Sequence, residues 1–464
     1  MTRAIVGKTL CVMVVGALVW FSAGETPMSA QSPRRVALVG GMLLDGYAVP
    51  PLHHAAVLIE NDRIVWVGRA AEARIPDGTT VIDTSGRVMM PGLIDLHVHL
   101  KNLGHGDYDR WDPWLIERNL LPTINAISAR QLLMAGVTSA VELGAQIPEI
   151  INTRDAIAAG KIPGPRLSVS GPWITRSLGN YQPRPVRQIQ IDTPEDAARA
   201  TEDLIKKGVD VIKAYVGLTP AHYKAIADTA HQHNVRVHAH VYSEHDTRNA
   251  LENGIDVLTH AGSAGTAPPY SKQLVTDIVN AGRPVVVTAA HRSWVFPDTV
   301  AFPERLQDPQ LKADFGPEIW EEVQRSFVGF QRLNYMGRID REVFFREPGL
   351  KQFIESGAVL GMGTDSGTPL NFHTEALWRE MKAHVDLGMT PLATINAATR
   401  INARILGKAD QLGTIEPGKL ADIIVVKGNP LFDITALAHV ETVMKGGVIY
   451  KGDGAVATTP SSRR

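Results

Sequence analysis

Two histidines spaced two residues apart are the first feature of this sequence that could do metal chemistry. His97 and His99 lie at the end of the apolar run 92–99, which is typical of a β-strand. Alternate residues of a strand face the same side, so the two imidazoles point together at the spacing that two ligands of one metal ion need. A lone strand histidine is usually a hydrogen-bonded core residue, but further candidates follow this pair.

Four later apolar runs also carry side chains of metal-binding type near their ends. These side chains are Lys213, the pair His238 and His240, His260, and Asp365. If the runs are parallel strands, their carboxyl ends meet at one edge of a sheet. Histidines on several strands together with an aspartate predict a metal site at that edge.

Lys213 lies in the run 209–215, which is apolar enough to be buried. A buried, unpaired ammonium is costly, and nearby divalent cations would repel it. A neutral lysine amine can instead react with carbon dioxide, and the two oxygens of the resulting carbamate could bridge two metal ions. The alternative is that Lys213 forms an ion pair with Asp210 or Glu142.

The elements that must position these side chains form a repeating pattern of strands and helices. Candidate strands lie at 92–99, 137–142, 166–170, 209–215, 236–241, 257–260, 285–288 and 358–365. Helical patterns follow most of them, as at 194–207, 220–233 and 270–281. Eight such units predict an α/β fold, a (β/α)8 TIM-like barrel over residues 91–405, with catalytic groups at the carboxyl ends of its strands.

Short β-rich runs at both ends of the chain lie outside this barrel. They cover 36–44, 55–59, 64–68 and 80–83 near the N-terminus, and 420–426 and 442–450 near the C-terminus. Together they predict a small β-sandwich built from residues 31–90 and 406–451. Residues 452–464 are predicted to be a flexible tail.

The first thirty residues are typical of a signal peptide. Arg3 and Lys8 precede an uncharged apolar run over 10–23, and small residues follow at 29–30. A membrane span is the alternative, but it needs about 20 apolar residues and this run is shorter. We therefore expect cleavage near Gln31, no stable membrane insertion afterwards, and a periplasmic or secreted protein. The single cysteine, Cys11, would be removed, so the mature chain would have no disulfide and no thiolate metal site.

Composition excludes other classes of protein. The chain has 464 residues, of which 44% are hydrophobic and 20% charged, and this is not the composition of a disordered or fibrous protein. Lys plus Arg total 47 against 48 Asp plus Glu, so nucleic acid is an unlikely partner. We expect a small-molecule substrate, and a homo-oligomer is compatible with this composition.

Two segments could shape the substrate site. The insertion 291–349 is far longer than a usual β-to-α connection and contains ten aromatic residues, so it could form a lid over an apolar substrate. The alternative is that these aromatics only pack against one another. A predicted loop over 173–188 offers Arg176, Arg184 and Arg187, any of which could bind a substrate carboxylate, although isolated arginines are usually solvated.

Several motifs along the chain resemble those of the amidohydrolase superfamily. They are Pro91-Gly92-Leu93-Ile94-Asp95-Leu96-His97-Val98-His99, Val237-His238-Ala239-His240, Leu258-Thr259-His260-Ala261-Gly262, Gly363-Thr364-Asp365-Ser366 and Leu412-Gly413-Thr414-Ile415-Glu416-Pro417-Gly418. The strand that carries Lys213 narrows the resemblance to the imidazolonepropionase-like and prolidase-like (Xaa-Pro dipeptidase-like) branch. Members of that branch have a binuclear metal centre, usually zinc, with a carboxylated lysine bridge.

The resemblance implies a role for each candidate residue. His97, His99 and Asp365 would bind the more buried metal, His238 and His260 the more exposed one, and Lys213 would bridge them. On the fifth strand the family pattern favours His238 as the ligand, with His240 as the alternative; if His238 is the ligand, His240 would be a neighbouring or substrate-contacting group. Tyr215, Arg176 and His291 are further candidates for substrate contact. Val241 replaces the family's usual glycine, and the segment up to His260 is slightly longer than usual, so substrate contacts there are expected to differ.

The implied reaction is hydrolysis of a carbon–nitrogen bond by a metal-bridged hydroxide, with Asp365 as the proton shuttle. The favoured substrate is an N-acyl amino acid or a dipeptide. Ring opening of a cyclic amide or deamination of a nitrogen heterocycle is the alternative, and a non-catalytic binding protein is a weaker one. The sequence has no G-x-S-x-G elbow, which disfavours serine-hydrolase chemistry, and it has no helical H-E-x-x-H motif of the zinc proteases.

Overall fold

The computed structural model describes residues 33–47, 49–176, 187–263, 269–291, 293–328, 337 and 339–454. The signal peptide predicted over 1–30, Arg184, and most of the predicted tail lie outside the described residues. The predictions for them are therefore not addressed by the fold.

The strands of the described residues, numbered in chain order, are β1 (Arg35–Val39), β2 (Met42–Leu43), β3 (Ala55–Glu60), β4 (Arg63–Arg69), β5 (Thr80–Asp83), β6 (Arg87–Pro91), β7 (Leu93–Val98), β8 (Val137–Glu142), β9 (Arg166–Val169), β10 (Trp173–Arg176), β11 (Gln188–Ile191), β12 (Val211–Ala214), β13 (Arg236–His240), β14 (Val257–Thr259), β15 (Val285–Val286), β16 (Leu360–Gly361), β17 (Ile423–Lys427), β18 (Val440–Lys445) and β19 (Val448–Lys451). The α-helices are α1 (Tyr108–Glu117), α2 (Leu121–Met134), α3 (Glu149–Ala158), α4 (Pro194–Lys206), α5 (Pro220–Gln232), α6 (Glu244–Glu252), α7 (Lys272–Asn280), α8 (Val295–Ala301), α9 (Pro309–Phe327), α10 (Ile339–Ser356), α11 (Ala376–Asp386), α12 (Pro391–Asn396) and α13 (Asn402–Ile405).

Strands from both ends of the sequence lie side by side in a small mixed sheet. Its order is β19-β18-β17-β6-β2, and β6 pairs with β17 in antiparallel register, with Pro91 opposite Ile423. A second sheet of order β4-β3-β1-β5 shares one apolar core with the first, in which Leu38 and Val57 meet Met89 and Ile423. This shared core ties the two ends of the chain together.

One predicted strand of this region is in fact a hairpin. The run 442–450 was expected to be continuous, but β18 and β19 are separated by Gly446 and Gly447, whose φ angles are 54° and 68°. Consecutive positive φ angles are the requirement of a tight two-residue hairpin turn, which glycine meets without a steric cost.

The middle of the chain forms two parallel sheets. One has the order β7-β8-β9 and the other β11-β10-β12-β13-β14-β15-β16. Backbone hydrogen bonds also connect the two sheets: Leu96 donates to the carbonyl of Met362 at 3.0 Å, and Asp210 donates to the carbonyl of Val169 at 2.8 Å. The fold is thus mixed α/β with parallel strands taken largely in chain order.

Helices cover these strands because their apolar residues recur on one face. In α4 the buried residues Ala197, Ala200 and Leu204 are three or four positions apart, as an amphipathic helix requires. The helix begins at a capping box, in which Thr193 accepts a hydrogen bond from the amide of Asp196 and the Asp196 carboxylate accepts one in return. Within the described residues no helix is long and apolar enough to cross a membrane.

The segment 173–188, predicted to be a loop, contributes two strands instead. β10 and β11 pair in parallel from Trp173 opposite Gln188 onward, and Ile174 of β10 is in register with Ala214 of β12. Both strands are only four residues long, and residues outside the described part separate them. The sequence therefore has no sustained alternation of apolar residues that would predict them.

The insertion 291–349 is mainly helical and shares an apolar core with other parts of the chain. Phe315, Trp320 and Phe327 pack there with Trp111 and Phe372 from other parts of the chain. Two further aromatics of the insertion, Phe302 and Phe344, are exposed. The described aromatics of the insertion thus pack partly with one another and partly with other segments, and the lid stays a prediction; Phe330 and Tyr335 lie outside the described residues.

Asn402 offers a test of how the two parallel sheets are held together. Its side-chain amide donates to the carbonyls of Ile94 and Met362 at 2.6 and 2.8 Å, and its oxygen accepts from the amide of Met362 at 3.0 Å. The similarly sized Asn402→Leu should lower the free energy of unfolding by about 3 kcal/mol, because each of three buried hydrogen bonds contributes about 1 kcal/mol. Urea-induced unfolding measures it.

The matched control is Asn152→Leu at an exposed position of α3, which should change the free energy of unfolding by less than about 0.5 kcal/mol. Equal effects of the two substitutions would show that Asn402 does not join the sheets.

Candidate metal centre

Six of the side chains that the sequence singled out meet at the carboxyl ends of the parallel strands. We call them the donor cluster: His97, His99, Lys213, His238, His260 and Asp365. All six are buried. They come from β7, β12 and β13, from the residues directly after β7 and β14, and from the loop that follows β16. These strands end at the same edge because they are parallel.

Asp365 lies among three histidines of the site. Its Oδ1 is 2.9 Å from Nε2 of His99 and 3.5 Å from Nε2 of His97, and its Oδ2 is 2.8 Å from Nδ1 of His291. One ligand atom from each of His97, His260 and Asp365 lies within 4.8 Å of the others. These three groups are close enough to share one metal ion.

The polar atoms of the donor cluster fit a metal better than they fit one another. Both ring nitrogens of His97, Nδ1 of His99 and Nδ1 of His238 are buried without a hydrogen-bond partner among the described residues. Each such atom costs about 1 to 3 kcal/mol if nothing binds it. Imidazole nitrogens and carboxylate oxygens are the donors that zinc prefers, so the residues present fit a divalent cation.

The electrostatics keep three histidines of the cluster in the neutral state that metal ligands need, whereas the pKa of His99, which burial alone would lower, is raised by Asp365 and Glu142. Burial holds the pKa of His97 and of His260 well below the ordinary value and lowers that of His238 to about 3, so these imidazoles are neutral. Burial alone would raise the pKa of Asp365, but His291, His99 and His97 outweigh it and hold that pKa well below its usual range.

His260 is oriented by a threonine of the next strand. Its Nδ1 is 2.8 Å from Oγ1 of Thr288, which leaves Nε2 to face the cluster. Such a partner on the far nitrogen fixes the tautomer and the ring plane of a metal-binding histidine.

Lys213 is 1% exposed and has no carboxylate oxygen within ion-pair distance in the described part of the chain. Its Nζ donates to Oγ1 of Thr259 at 2.9 Å. The predicted alternative partner Asp210 is instead bound to Arg154 at 2.8 Å. Burial lowers the pKa of Lys213 to about 7, so a large share of its amine is neutral at physiological pH.

His238 and His240, the two candidate metal ligands on β13, lie at different distances from the open edge of the sheet. His238 is in register with Lys213 on the neighbouring strand and is fully buried. His240 lies two residues nearer the open edge, with its ring centroid 4.4 Å from that of His260 and 4.5 Å from that of Tyr215. The geometry thus places His238 beside the lysine and His240 above His260.

An aromatic wall, which we define as Trp173, Tyr215 and Tyr242, stands beside the cluster. Trp173 stacks on Tyr215 with ring centroids 4.3 Å apart and contacts His99 at 5.8 Å, while Tyr242 contacts His240 at 4.5 Å. Tyr215 was predicted to be near the site, whereas Trp173 and Tyr242 were not. Trp173 was missed because its segment was taken to be a loop.

The arginines expected to bind a substrate carboxylate do not behave alike. Arg176 ends β10 with an exposed side chain. Arg187 is buried and forms a two-pronged ion pair with Asp112, with distances of 2.7 and 2.5 Å, so it is not a free clamp.

Lys101 joins this buried ion pair and was not anticipated. Its Nζ is 3.0 Å from Oδ1 of Asp112. Lys101 follows His97 and His99 at the same two-residue spacing, and this alternation was a signal that sequence reasoning could have used. With Arg187 it gives two cations for one carboxylate close to the donor cluster.

Glu142 is a second acid of the site, which the sequence suggested only as an alternative ion-pair partner of Lys213. It ends β8, is fully buried, and its Oε1 lies 3.9 Å from Nδ1 of His99 without a hydrogen-bond partner among the described residues. The sequence predicted the donor cluster from polar residues at the ends of strands, and Glu142 has the same kind of position.

His291, predicted as a substrate-contacting residue, instead contacts Asp365 directly. The loop before it is held by Glu380 of α11, whose two carboxylate oxygens accept the amides of Ala289 and Ala290 at 2.8 and 2.7 Å. This pair of charge-assisted hydrogen bonds fixes the backbone that presents His291 to Asp365.

Comparison with known proteins agrees with this geometry. The family model described as the amidohydrolase family matches residues 88–450. An imidazolonepropionase from Geobacillus kaustophilus is 24% identical over 87% of this chain and 92% of its own length. A 5-methylthioadenosine/S-adenosylhomocysteine deaminase from Symbiobacterium thermophilum is 23% identical over 90% and 94%. A crystal structure described as that of a "putative prolidase from Bifidobacterium longum" is 27% identical, covers 91% of this chain and 96% of its own, and has a TM-score of 0.70.

The family match spans most of the sequence and includes every member of the donor cluster. The relatives also agree with the branch that the motifs indicated, and the fold of the family is a TIM barrel with a small second domain. This chain therefore belongs to the amidohydrolase family and is a hydrolase that acts on carbon–nitrogen bonds.

Proposed function

We propose that this hydrolase is metal-dependent and cleaves the carbon–nitrogen bond of an N-acyl amino acid or a dipeptide. The observation that carries the proposal is the donor cluster, in which several buried imidazole nitrogens have no hydrogen-bond partner among the described residues and lie around an ionised carboxylate beside a buried lysine. The similarity to a structure described as a prolidase supports a dipeptide as substrate.

The donor cluster divides into two groups of ligands in this proposal. His97, His99 and Asp365 would hold one zinc ion, and His238 and His260 a second. Lys213, converted to a carbamate by carbon dioxide, would supply one oxygen to each. Its neutral amine and its register opposite His238 support that bridging position.

Residues of the chain itself would accept and deliver the proton that is transferred in the reaction. Bound divalent ions would supply Lewis acidity and an acidified water. Asp365 is kept ionised by His291 and His99, so it can accept the proton of an attacking water and deliver it to the departing nitrogen. The hydrogen bond from His291 fixes Oδ2, which leaves Oδ1 directed at the histidines of β7.

The buried pair of cations supports a substrate that bears a carboxylate. Lys101 and Arg187 share the carboxylate of Asp112, and burial together with Arg187 lowers the pKa of Lys101 to about 7, so the pair carries at most one positive charge in excess of the negative charge of Asp112. The aromatic wall adjoins the cluster and offers a flat apolar surface, which suits a proline ring or an aromatic group.

Two further features belong to this proposal. One is a closed eight-stranded barrel, which is supported by the hydrogen bonds that join β7 to the residue just after β16, and β9 to the residue before β12.

The other is export, which is supported by the order of charged, apolar and small residues over positions 1–30. The protein purified from an exporting cell should therefore begin near Gln31, and N-terminal sequencing measures this.

Hydrolysis of a cyclic amide or deamination of a heterocycle is the second candidate function. It is favoured by the similarity to an imidazolonepropionase and to a deaminase, each covering more than four fifths of both chains.

A substrate screen separates the two candidates. We expect the metal-loaded enzyme to hydrolyse N-acyl amino acids and dipeptides, with kcat/KM lowered at least about 10-fold when the substrate carboxylate is amidated, because the buried cations then lose their counter-charge. Rates would be followed by amine release. Turnover of cyclic amides or heterocyclic amines alone would replace the first candidate by the second.

Metal content tests the binuclear assignment and the role of Lys213. Purified without chelators, the protein should hold about two divalent ions per chain, and Lys213→Ala should lose at least one together with most activity, because the bridging oxygens are gone. Adding a short carboxylic acid should restore part of both. Elemental analysis and steady-state rates provide the readouts.

The control for this substitution is Lys445→Ala, which removes another buried lysine that contacts the carbonyl of Gly164 and should leave the metal content unchanged. If Lys213→Ala kept its full metal content, the bridging role would be wrong.

Asp365→Asn tests proton transfer separately from metal binding. The amide keeps the shape and one oxygen donor but cannot accept a proton, so kcat should fall by about 100-fold or more while most metal stays bound. Asp308→Asn, at the start of α9 and away from the cluster, should retain normal kcat. Near-normal turnover by Asp365→Asn would assign the proton to another group.

A further inference from the structure

A second cavity lies at the opposite ends of the strands that carry the donor cluster. It has a volume of about 270 Å³ and opens between the first residues of β13, β14 and β15 and the end of α13. Arg236 begins β13, whereas His240 ends it, and four residues of strand span about 13 Å. The cavity is therefore separate from the metal centre.

Three arginines from three different elements line this cavity. They are Arg236 of β13, Arg283 just before β15, and Arg404 of α13, and the only acid in the lining is Asp256. The lining thus carries two more positive than negative charges.

Asp256 is already engaged elsewhere. Its Oδ2 accepts the amide of Val237 at 2.8 Å and lies 2.9 Å from Nε2 of His231, and its Oδ1 is 3.6 Å from Arg283. It does not reach the other two arginines within ion-pair distance. Among the described residues, Arg236 donates to the backbone carbonyl of Arg404 at 3.3 Å and the Arg404 guanidinium has no partner; both arginines are exposed at the rim of the cavity.

The rest of the lining is apolar. Val257 and Ile405 are buried there, beside Pro284 and Ile401. A pocket with a cationic rim and an apolar floor complements a molecule with one anionic group on an apolar body. Guanidinium groups bind carboxylates and phosphates in a forked geometry, which favours these two anions.

We propose that this cavity binds a small amphiphilic anion, with a carboxylate or phosphate held by Arg236 and Arg404 and an apolar body packed on Val257 and Ile405. The volume suits a molecule with a single ring. This site does not depend on the reaction at the metal centre, and its ligand is not a substrate.

The probes for this site are 4-bromophenyl phosphate and 4-bromobenzoate, applied to the metal-loaded protein. In crystals soaked with either compound, the anomalous signal of bromine should appear in the cavity beside Ile405. Titration calorimetry at low salt should show that 4-bromophenyl phosphate binds at least about 10-fold more tightly than inorganic phosphate, because only the former uses the apolar floor.

Arg404→Gln should weaken binding of both probes at least about 10-fold, since it removes a charged two-pronged donor, and should leave kcat/KM at the metal centre unchanged. The control Arg199→Gln, on the exposed face of α4, should not alter probe binding. Binding at the metal centre alone would place bromine there and survive Arg404→Gln. That result, equal binding of inorganic phosphate, or an absence of saturable binding would each overturn the proposal.

Discussion

The carboxylate of Asp365 connects parts of the chain that are far apart in sequence, and the geometry of the site depends on it. Its oxygens meet His99 after β7 and His291 after β15, and its own amide donates to the carbonyl of His97 at 2.8 Å. A buried carboxylate is costly unless cations or hydrogen-bond donors surround it. Because three histidines do so, Asp365 stays ionised, and the ends of three strands are held at fixed distances.

The backbone around the cluster is strained in a way that other contacts must offset. His260, Thr288 and Asp365 have φ angles of 67°, 54° and 57°, a left-handed conformation that costs a side-chain-bearing residue about 1 to 2 kcal/mol. Asp95 braces the turn before Asp365, accepting the hydroxyl of Thr364 at 2.7 Å and its amide at 3.1 Å. Strain that neighbouring contacts enforce in this way is characteristic of functional sites, where it aims side chains that a relaxed turn would direct elsewhere.

The sequence allowed the strand positions and most of the cluster to be predicted, because both depend on local signals. β8 and β13 coincide with apolar runs to within one residue, and the metal-type side chains lie near the ends of such runs. The strand at Trp173 could not be predicted, since its four residues lack a period of their own and are ordered by pairing with β12. The buried contact of Lys101 with Asp112 and Arg187 joins three segments of the chain, so residue spacing along the sequence does not predict this contact. Glu142 carried the correct signal, but its burial beside His99 is a property of the folded chain alone.

Charge balance gives a physical reason for the proposed carbamate on Lys213. The four histidines of the donor cluster are neutral or hydrogen-bonded to acids, so the fixed negative charge near the proposed ions comes from Asp365 and Glu142. An unmodified Lys213 contributes either nothing or a positive charge, whereas a carbamate contributes a negative one at the position between the two groups of ligands. Two divalent ions in a buried site need that additional charge, because the surrounding low dielectric makes any uncompensated charge expensive. Burial that leaves part of the Lys213 amine neutral thus favours the very reaction that would make a second metal ion tolerable.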